Sequence, residues 1–448
     1  MLNQMFTAEN FRKIFDSENR KGIDLGKKFF PEVADASLKI KDKVSELRVL
    51  RSNKNNYSPE SFLQEEKVIL HKIKEIKATK SSIVDEELEK ICHIVSNPNF
   101  KITLEKKDGP HGKPIYILDG TAETYFVGKQ LQNNVYSLYK VKQASRHDLA
   151  SQIQKTLQNK FPLEIVRTDI ASFYESVNKD KLIKKLDEDQ LLSSASKRII
   201  KQILNSYSLL SGSNNGLPRG VGVSAYLAEL YMRSVDYDIG ATPGLILYCR
   251  YVDDIVAIFA RPNTGASIPS YEDLIIDVIS KNQLNHNLTK TKQIITTDTP
   301  DYAFEYLGYE YVVDGGKLNL FPSKAKLTKI EKRIAAAFDA YDTRFPINPR
   351  IAFRDLVSRV KFLTGNTRLV NSKSSATTGI FYNNPLVTTT SSFETLDKAL
   401  KIRTNSIKRK VLRDRLKKFS FVNGFTERHF HNFSSQELEN IVKVWKYV

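Results

Sequence analysis

Leu245-Ile-Leu-Tyr-Cys-Arg-Tyr251-Val252-Asp253-Asp254-Ile255-Val-Ala-Ile-Phe259 is an apolar run with two adjacent carboxylates at its centre. Residues of this kind favour strands, and ionised acids inside a buried strand are costly unless a cation compensates them. A tight turn at Val252-Asp253-Asp254 would present both acids at the tip of a hairpin. A second apolar run, Phe161-Pro-Leu-Glu-Ile-Val-Arg-Thr-Asp169, ends on a third acid. If its strand joins the same sheet, three carboxylates from distant parts of the chain can meet. Mg²⁺ prefers carboxylate oxygens and binds through one or two of them together with substrate phosphates, so the trio predicts metal-dependent phosphoryl transfer.

The rest of the composition narrows the partner. The chain has 448 residues, 41% of them hydrophobic, enough for two or three domains with a sizeable core. An excess of 69 Lys+Arg over 51 Asp+Glu leaves a formal charge of +18, which favours a polyanion such as nucleic acid through counterion release. No apolar stretch approaches the ~20 residues of a spanning helix and no signal-peptide pattern opens the chain, so no membrane role is expected. Cys92 and Cys249 are too few for a disulfide framework or a zinc site, and a reducing cytoplasm is the expected location. His93, His111 and His286 show no ligand spacing.

Periodicity divides the chain into a helical arm, a mixed core and a helical tail. Apolar steps of three and four residues from Phe6 to Phe15 and from Val68 to Ile94 predict helices, with a polar break and a helix start between Arg51 and Pro59. Lys101 to Leu104 and Pro114 to Leu118 read as short strands separated by Gly/Pro punctuation. Helix and strand signals then alternate to about residue 321. A polar stretch from Asn371 to Ser392 reads as loop with some strand. Lys398 to Lys418 reads as one basic amphipathic helix, with Leu400, Ile407, Val411 and Leu412 inward and Lys408, Arg409 and Arg413 facing a phosphate backbone.

Several motifs carry a family resemblance. Tyr251-Val252-Asp253-Asp254 resembles the signature of reverse transcriptases, and Asp169-Ile170-Ala-Ser-Phe173-Tyr174 resembles their first catalytic motif. The resemblance implies metal binding at Asp169, Ile170, Asp253 and Asp254, and a steric gate at Tyr174 that excludes a ribose 2′-hydroxyl. Asn215-Gly-Leu-Pro218-Arg219-Gly220 and the helix after it resemble the loop beneath template and nucleotide, although Arg219 stands where many relatives carry glutamine. Leu284 to Lys292 resembles the motif whose lysine, here Lys290, meets the leaving pyrophosphate. Phe304 to Tyr311, with Leu307 and Gly308 at its turn, resembles the primer grip. Tyr139 to Arg146 is similar to the fingers motif that holds the triphosphate, through Lys142 and Arg146.

The implied fold is α+β, a right-hand polymerase: helical arm 1–98, fingers 99–165, palm 166–321 with an antiparallel sheet, and a basic helical thumb with C-terminal extension 322–448. The implied activity is RNA-directed DNA polymerisation with two Mg²⁺ or Mn²⁺ ions, using dNTPs and an RNA template and yielding a DNA product. The helical arm, together with Phe362 to Arg368 and Thr378 to Asn384, resembles the antiphage defence reverse transcriptases of bacteria, among them type 3, which implies a structured noncoding RNA. No maturase, endonuclease or ribonuclease H pattern follows the core. A retron-type or other templated bacterial enzyme, and a catalytically idle nucleic-acid-binding scaffold, stay open, as do a partner protein and a homo-oligomer. Plainer roles stay open too: an Asp-rich turn for Asp253 and Asp254, a helix N-cap for Asp169, core packing for Phe173 and Tyr174, and solvated surface for Lys290 and Arg146.

Overall fold

The computed structural model describes residues 3–109, 112–159, 161–261, 270–369 and 376–446. The chain forms two compact units, Met1–Lys142 with Ser172–Val235, and Gln143–Ala171 with Asp236–Val448.

The first unit is mainly helical. Thr7 caps the helix Ala8–Arg20, and Ser58 caps Pro59–Ser96, whose proline occupies the first turn where its missing N–H costs nothing. That 38-residue helix packs along Pro31–Ser52 through a small core of Leu47, Leu50, Phe62, Ile69 and Ile73. The polar break expected between them is present. Strands β1 (Leu104–Asp108) and β2 (Pro114–Leu118) form an antiparallel ribbon. The expected strand at Lys101 starts three residues late, because β2 has only five residues to pair with. The N–H groups of Ile102 and Leu104 go instead to Gln202 Oε1 and Ser206 Oγ, at 3.2 and 3.1 Å.

In the second unit, β3 (Leu163–Asp169), β4 (Leu245–Tyr251), β5 (Asp254–Ala260) and β6 (Lys292–Ile295) make an antiparallel sheet in the order β4-β5-β3-β6. β5 is buried from Ile255 to Phe259, and each of its Ile, Val and Phe side chains contributes about 1.5–3 kcal/mol by leaving water. A second sheet contains β7 (Tyr302–Tyr306), β8 (Tyr309–Asp314) and β9 (Lys317–Pro322). Leu307 and Gly308 both have positive φ, 50° and 81°, the conformation a two-residue hairpin turn demands. Helices Arg146–Leu157, Lys324–Arg344, Pro349–Thr364 and Ser391–Asn405 pack with these sheets around one core that includes Ile153, Ile258, Tyr311, Phe338, Leu356 and Phe393. A short ribbon, β10 (Asn366–Arg368) with β11 (Thr377–Gly379), supplies the strand expected in the polar stretch, of which residues 371–375 lie outside the described residues, as does His111.

The tail differs from its expectation. Lys398 to Lys418 is two helices, Ser391–Asn405 and Lys410–Leu416, and Lys408 and Arg409 fall in the break. Ser406 turns its hydroxyl onto the Arg403 carbonyl at 2.8 Å, and Ile407 is buried, so the chain bends inward there. Leu400, Ile407 and Leu412 are buried as expected, but Val411 is 67% exposed. Among the described residues, no helix is long and apolar enough to cross a membrane.

Candidate active site

The geometry begins with strand register. β3 pairs antiparallel with β5 so that Asp169 stands opposite Asp254, and β4 and β5 are joined through Val252 and Asp253. Val252 has φ +60°, a region that β-branched residues avoid at a cost of about 1–3 kcal/mol. The Ile170 N–H donates to the Asp253 carbonyl at 3.0 Å, and the Asp169 carbonyl accepts from the Asn287 N–H at 2.8 Å. Asp169 is therefore held from both sides by backbone and does not serve as a helix cap. The next short helix, Phe173–Ser176, starts after Ser172, which is left-handed with φ 46°.

Cationic side chains hold two of the three acids. Lys290 Nζ bonds Asp169 Oδ2, placed by a turn in which Asn287 accepts the backbone N–H of Lys290 and Thr291 at 3.1 and 2.9 Å. Arg167 Nη2 lies 3.6 Å from Asp254 Oδ1. Burial pushes the Asp254 carboxyl up to about 6; Arg167 opposes that, and the negative charges of Asp169 and Asp253 reinforce it. Asp169 and Asp253 thus both lie within electrostatic reach of Asp254.

Among the described residues no group of three or more His, Cys, Asp or Glu side chains is gathered closely enough to hold a metal ion by itself. Two of the expected ligands instead carry cationic partners here, Lys290 on Asp169 and Arg167 beside Asp254. The donor set nevertheless fits a hard cation. Asp169 Oδ1 and Asp254 Oδ1 are buried without a hydrogen-bond partner, and a buried carboxylate oxygen so left is a strong ligand for a divalent ion. Ile170, through its backbone, and Asp253, at the turn, complete the expected set.

Two supports went unnoticed in the sequence. Arg250 grips Asp236 through Nε and Nη2, at 2.6 and 2.8 Å, and donates from Nη1 to the Val252 carbonyl at 2.8 Å, pinning the strained turn. Tyr306 donates its hydroxyl to the carbonyls of Cys249 and Asp254, at 3.3 and 3.2 Å, tying β7 to the acidic hairpin. Arg250 was visible as a charge within an apolar strand, but its acid lies 14 residues away. Arg250→Met leaves Asp236 with only its Tyr248 hydroxyl among the hydrogen bonds described and removes the donor to the turn, so a loss of about 2–4 kcal/mol in urea unfolding is expected; a change below about 0.5 kcal/mol would remove Arg250 as the anchor.

The remaining candidate residues are distributed as follows. In the second unit, the Arg146 guanidinium sits 4.4 Å above the Tyr251 ring centroid. A Cβ at Gly308 would meet only the movable end of the Lys326 side chain, so it is the positive φ of 81° that favours glycine there. Leu307 is half-buried beside it. Arg409 stacks over Phe353 at 5.5 Å, and Arg413 donates to the Ile407 carbonyl at 3.3 Å, so both are engaged within the fold; Lys408 is exposed.

In the first unit, Lys142 is exposed, Phe173 is buried, and Tyr174 packs edge-on to it. Arg219 forks onto Glu175 at 3.0 and 3.2 Å and lies 5.1 Å over the Tyr174 ring. Pro218 is buried, and a Cβ at Gly220 would come within 2.7 Å of the Tyr116 carbonyl oxygen. The Leu217 N–H donates to the Tyr174 carbonyl at 2.7 Å, so this loop and the aromatic ring are one local structure.

Residues 122–311 match the sequence model described as reverse transcriptase (RNA-dependent DNA polymerase). No curated protein matches the chain. Among solved structures it is similar to telomerase of Candida albicans in complex with a TWJ fragment of telomeric RNA, at 14% identity, TM-score 0.36, over 80% of this chain and 66% of that one. It is likewise similar to apo telomerase of Candida tropicalis, at 14% identity, TM-score 0.36, over 77% and 65% of the two chains. A form of that telomerase truncated from its C-terminal domain aligns at 15% identity, TM-score 0.34, over 51% and 56%. The chain thus spans about 56–66% of the telomerases it matches. With its antiparallel sheet, acidic hairpin and helical surroundings, the fold is that of a right-hand polymerase, and over residues 122–311 the chain carries a reverse transcriptase domain, the nucleotidyltransferase module of RNA-directed DNA polymerases.

Proposed function

We propose that the chain is an RNA-directed DNA polymerase that joins the 3′-hydroxyl of a growing strand to the α-phosphate of a dNTP. The observation that carries this is the register of Asp169 opposite Asp254, with Asp253 at the adjoining turn, inside a reverse transcriptase domain. Asp169, Asp253 and Asp254, with the Ile170 carbonyl, would hold Mg²⁺ or Mn²⁺. When bound, the ions supply activation of the attacking hydroxyl and neutralisation of the triphosphate. Lys290 leaves Asp169 for the departing pyrophosphate, offering positive charge or a proton. Lys142 and Arg146 take triphosphate oxygens, while Leu307 and Gly308 meet the primer strand. In this proposal residues 99–165 act as fingers, 166–321 as palm and 322–448 as thumb and extension, behind the arm 1–98.

Purified protein incubated with Mg²⁺, labelled dNTPs and a primed RNA template, or with RNA that co-purifies with it, is expected to incorporate label. No incorporation on any RNA, with or without Mn²⁺, would leave an idle scaffold as the better account. Tyr174 is proposed to face the sugar, its ring braced by the Arg219–Glu175 pair. Tyr174→Ala is expected to raise ribonucleotide use relative to deoxyribonucleotide use by about 10–100-fold, the scale of one steric contact. Equal discrimination in wild type and variant would take Tyr174 out of the gate.

The flanking motifs support a biological setting of antiphage defence with a structured noncoding RNA as template or scaffold. Sequencing the nucleic acid bound to the native protein tests that part. Protection from phage that survives loss of the acidic hairpin would refute it.

A further inference from the structure

The helical pair Pro31–Ser52 and Pro59–Ser96 has two unlike flanks. Its small core of Leu47, Leu50, Phe62, Ile69 and Ile73 fills only the seam between the helices, and Val49, Leu63, Val68 and Leu70 are left exposed within this one pair. Scattered apolar side chains on a surface are ordinary, whereas a gathering of them marks an interaction face.

On one flank a groove of about 530 Å³ runs between the helices, with Leu50 and Ile69 as its floor and Asp42, Glu46, Val49 and Glu65 at its rim. No Lys, Arg or His lines it among the described residues, although the chain carries a formal charge of +18. Asp42 and Glu65 form no ion pair among the described residues. The other flank has the opposite sign. Glu66, one residue and about 100° further round the helix than Glu65, pairs with Arg51 at 2.7 Å across the far side of the seam. Leu63 and Leu70 lie three residues before and four after Glu66 and so share its side, and Lys67 and Lys74 continue their stripe. All four are exposed, and neither lysine forms an ion pair among the described residues.

We propose that this helical pair joins copies of the chain, the Leu63-Lys67-Leu70-Lys74 stripe of one copy lying in the Asp42-Glu46-Glu65 groove of the next. The spacings agree. Leu63 and Leu70 are seven residues apart, about 10 Å along the helix, and so are Asp42 and Val49 on the groove wall. Apolar side chains at seven-residue spacing are the knobs that a groove between two helices receives. A second copy satisfies both flanks at once, whereas a nucleic acid would suit the lysines and be repelled by the acids. Because the two flanks differ, the contact is heterologous and propagates to a ring or an open array instead of stopping at a two-fold dimer.

The test is sedimentation velocity of the full, nuclease-treated chain from about 1 to 50 μM, in EDTA and without dNTPs, so that failure of the polymerase proposal has no bearing on the result. A mass above that of one chain, rising with concentration, is expected. Asp42→Lys with Glu65→Lys, and separately Lys67→Glu with Lys74→Glu, change exposed positions and should leave the melting temperature unchanged. Each pair is expected to weaken association more than about tenfold by setting like charges face to face, and mixing the two reversed proteins should restore it. A wild type that stays a single chain throughout would overturn the proposal and leave the groove to a foreign basic helix. Association that vanishes on nuclease treatment would overturn it in favour of a nucleic-acid bridge. Reversed proteins that associate as wild type does, or a mixture that stays dissociated, would also overturn it.

Discussion

Asp253→Asn is expected to reduce nucleotide incorporation by at least about 10³-fold while moving the melting temperature by no more than about 2 °C. The asparagine keeps the size of the side chain and leaves the backbone link from the Ile170 N–H to the Asp253 carbonyl in place. What disappears is a negative charge at the turn beside Asp254. A 10³-fold loss corresponds to about 4 kcal/mol of transition-state stabilisation, within the range for removing a ligand to catalytic metal. Primer extension at saturating dNTP separates this from weakened binding, since a defect confined to KM would point to positioning instead. Retention of more than about a tenth of wild-type turnover would show that the acidic hairpin is not the reaction centre.

Asp254→Asn should have the opposite effect on stability. The Asp254 carboxyl is pushed up to about 6 from an ordinary 3.8, chiefly by burial. A group raised in the folded state contributes stability that is fully present below its unfolded value and is lost as pH rises through its folded value. Metal-free wild type should therefore lose stability between about pH 4 and 6 that the asparagine variant keeps. At pH 8 the variant is expected to be more stable by about 1–3 kcal/mol, a rise of several degrees at most in melting temperature for a chain this size. The amide oxygen can still receive Arg167, which limits the loss on that side. Adding Mg²⁺ should stabilise wild type and narrow the gap, because binding to the folded state alone raises its stability. A metal-free variant that melts below wild type at pH 8 would mean that Arg167 compensates Asp254 far better than its 3.6 Å separation implies.

The acidic hairpin was readable because each of its parts is local. Apolar runs bounded by a turn specify strands, so Leu163–Asp169, Leu245–Tyr251 and Asp254–Ala260 lie where the pattern puts them. The Leu307–Gly308 turn and the helix beginning at Pro59 were legible for the same reason: turn and cap chemistry is written in adjacent residues. Where a partner far along the chain decides, the pattern failed. Lys101 is outside β1 because β2 ends at Leu118, opposite Leu104, and the basic tail breaks at Ser406 because burying Ile407 bends it inward. Val411, periodic with its neighbours, faces water once that bend is made.

By itself the sequence determined which elements form, their order, and the three acids on which phosphoryl transfer would depend, since periodicity, turn residues and residue chemistry act over a few positions. Only the tertiary structure decided that Asp169 stands opposite Asp254, that Lys290 and Arg167 hold two of the acids, and that Arg250 and Tyr306 pin the turn. It likewise set Asp42, Glu46 and Glu65 around one groove and Glu66 on the other flank of the same helical pair. The reason is physical: electrostatic and hydrogen-bond partners are chosen by distance in space, and burial sets their strength, neither of which is recorded in the spacing of residues along the chain.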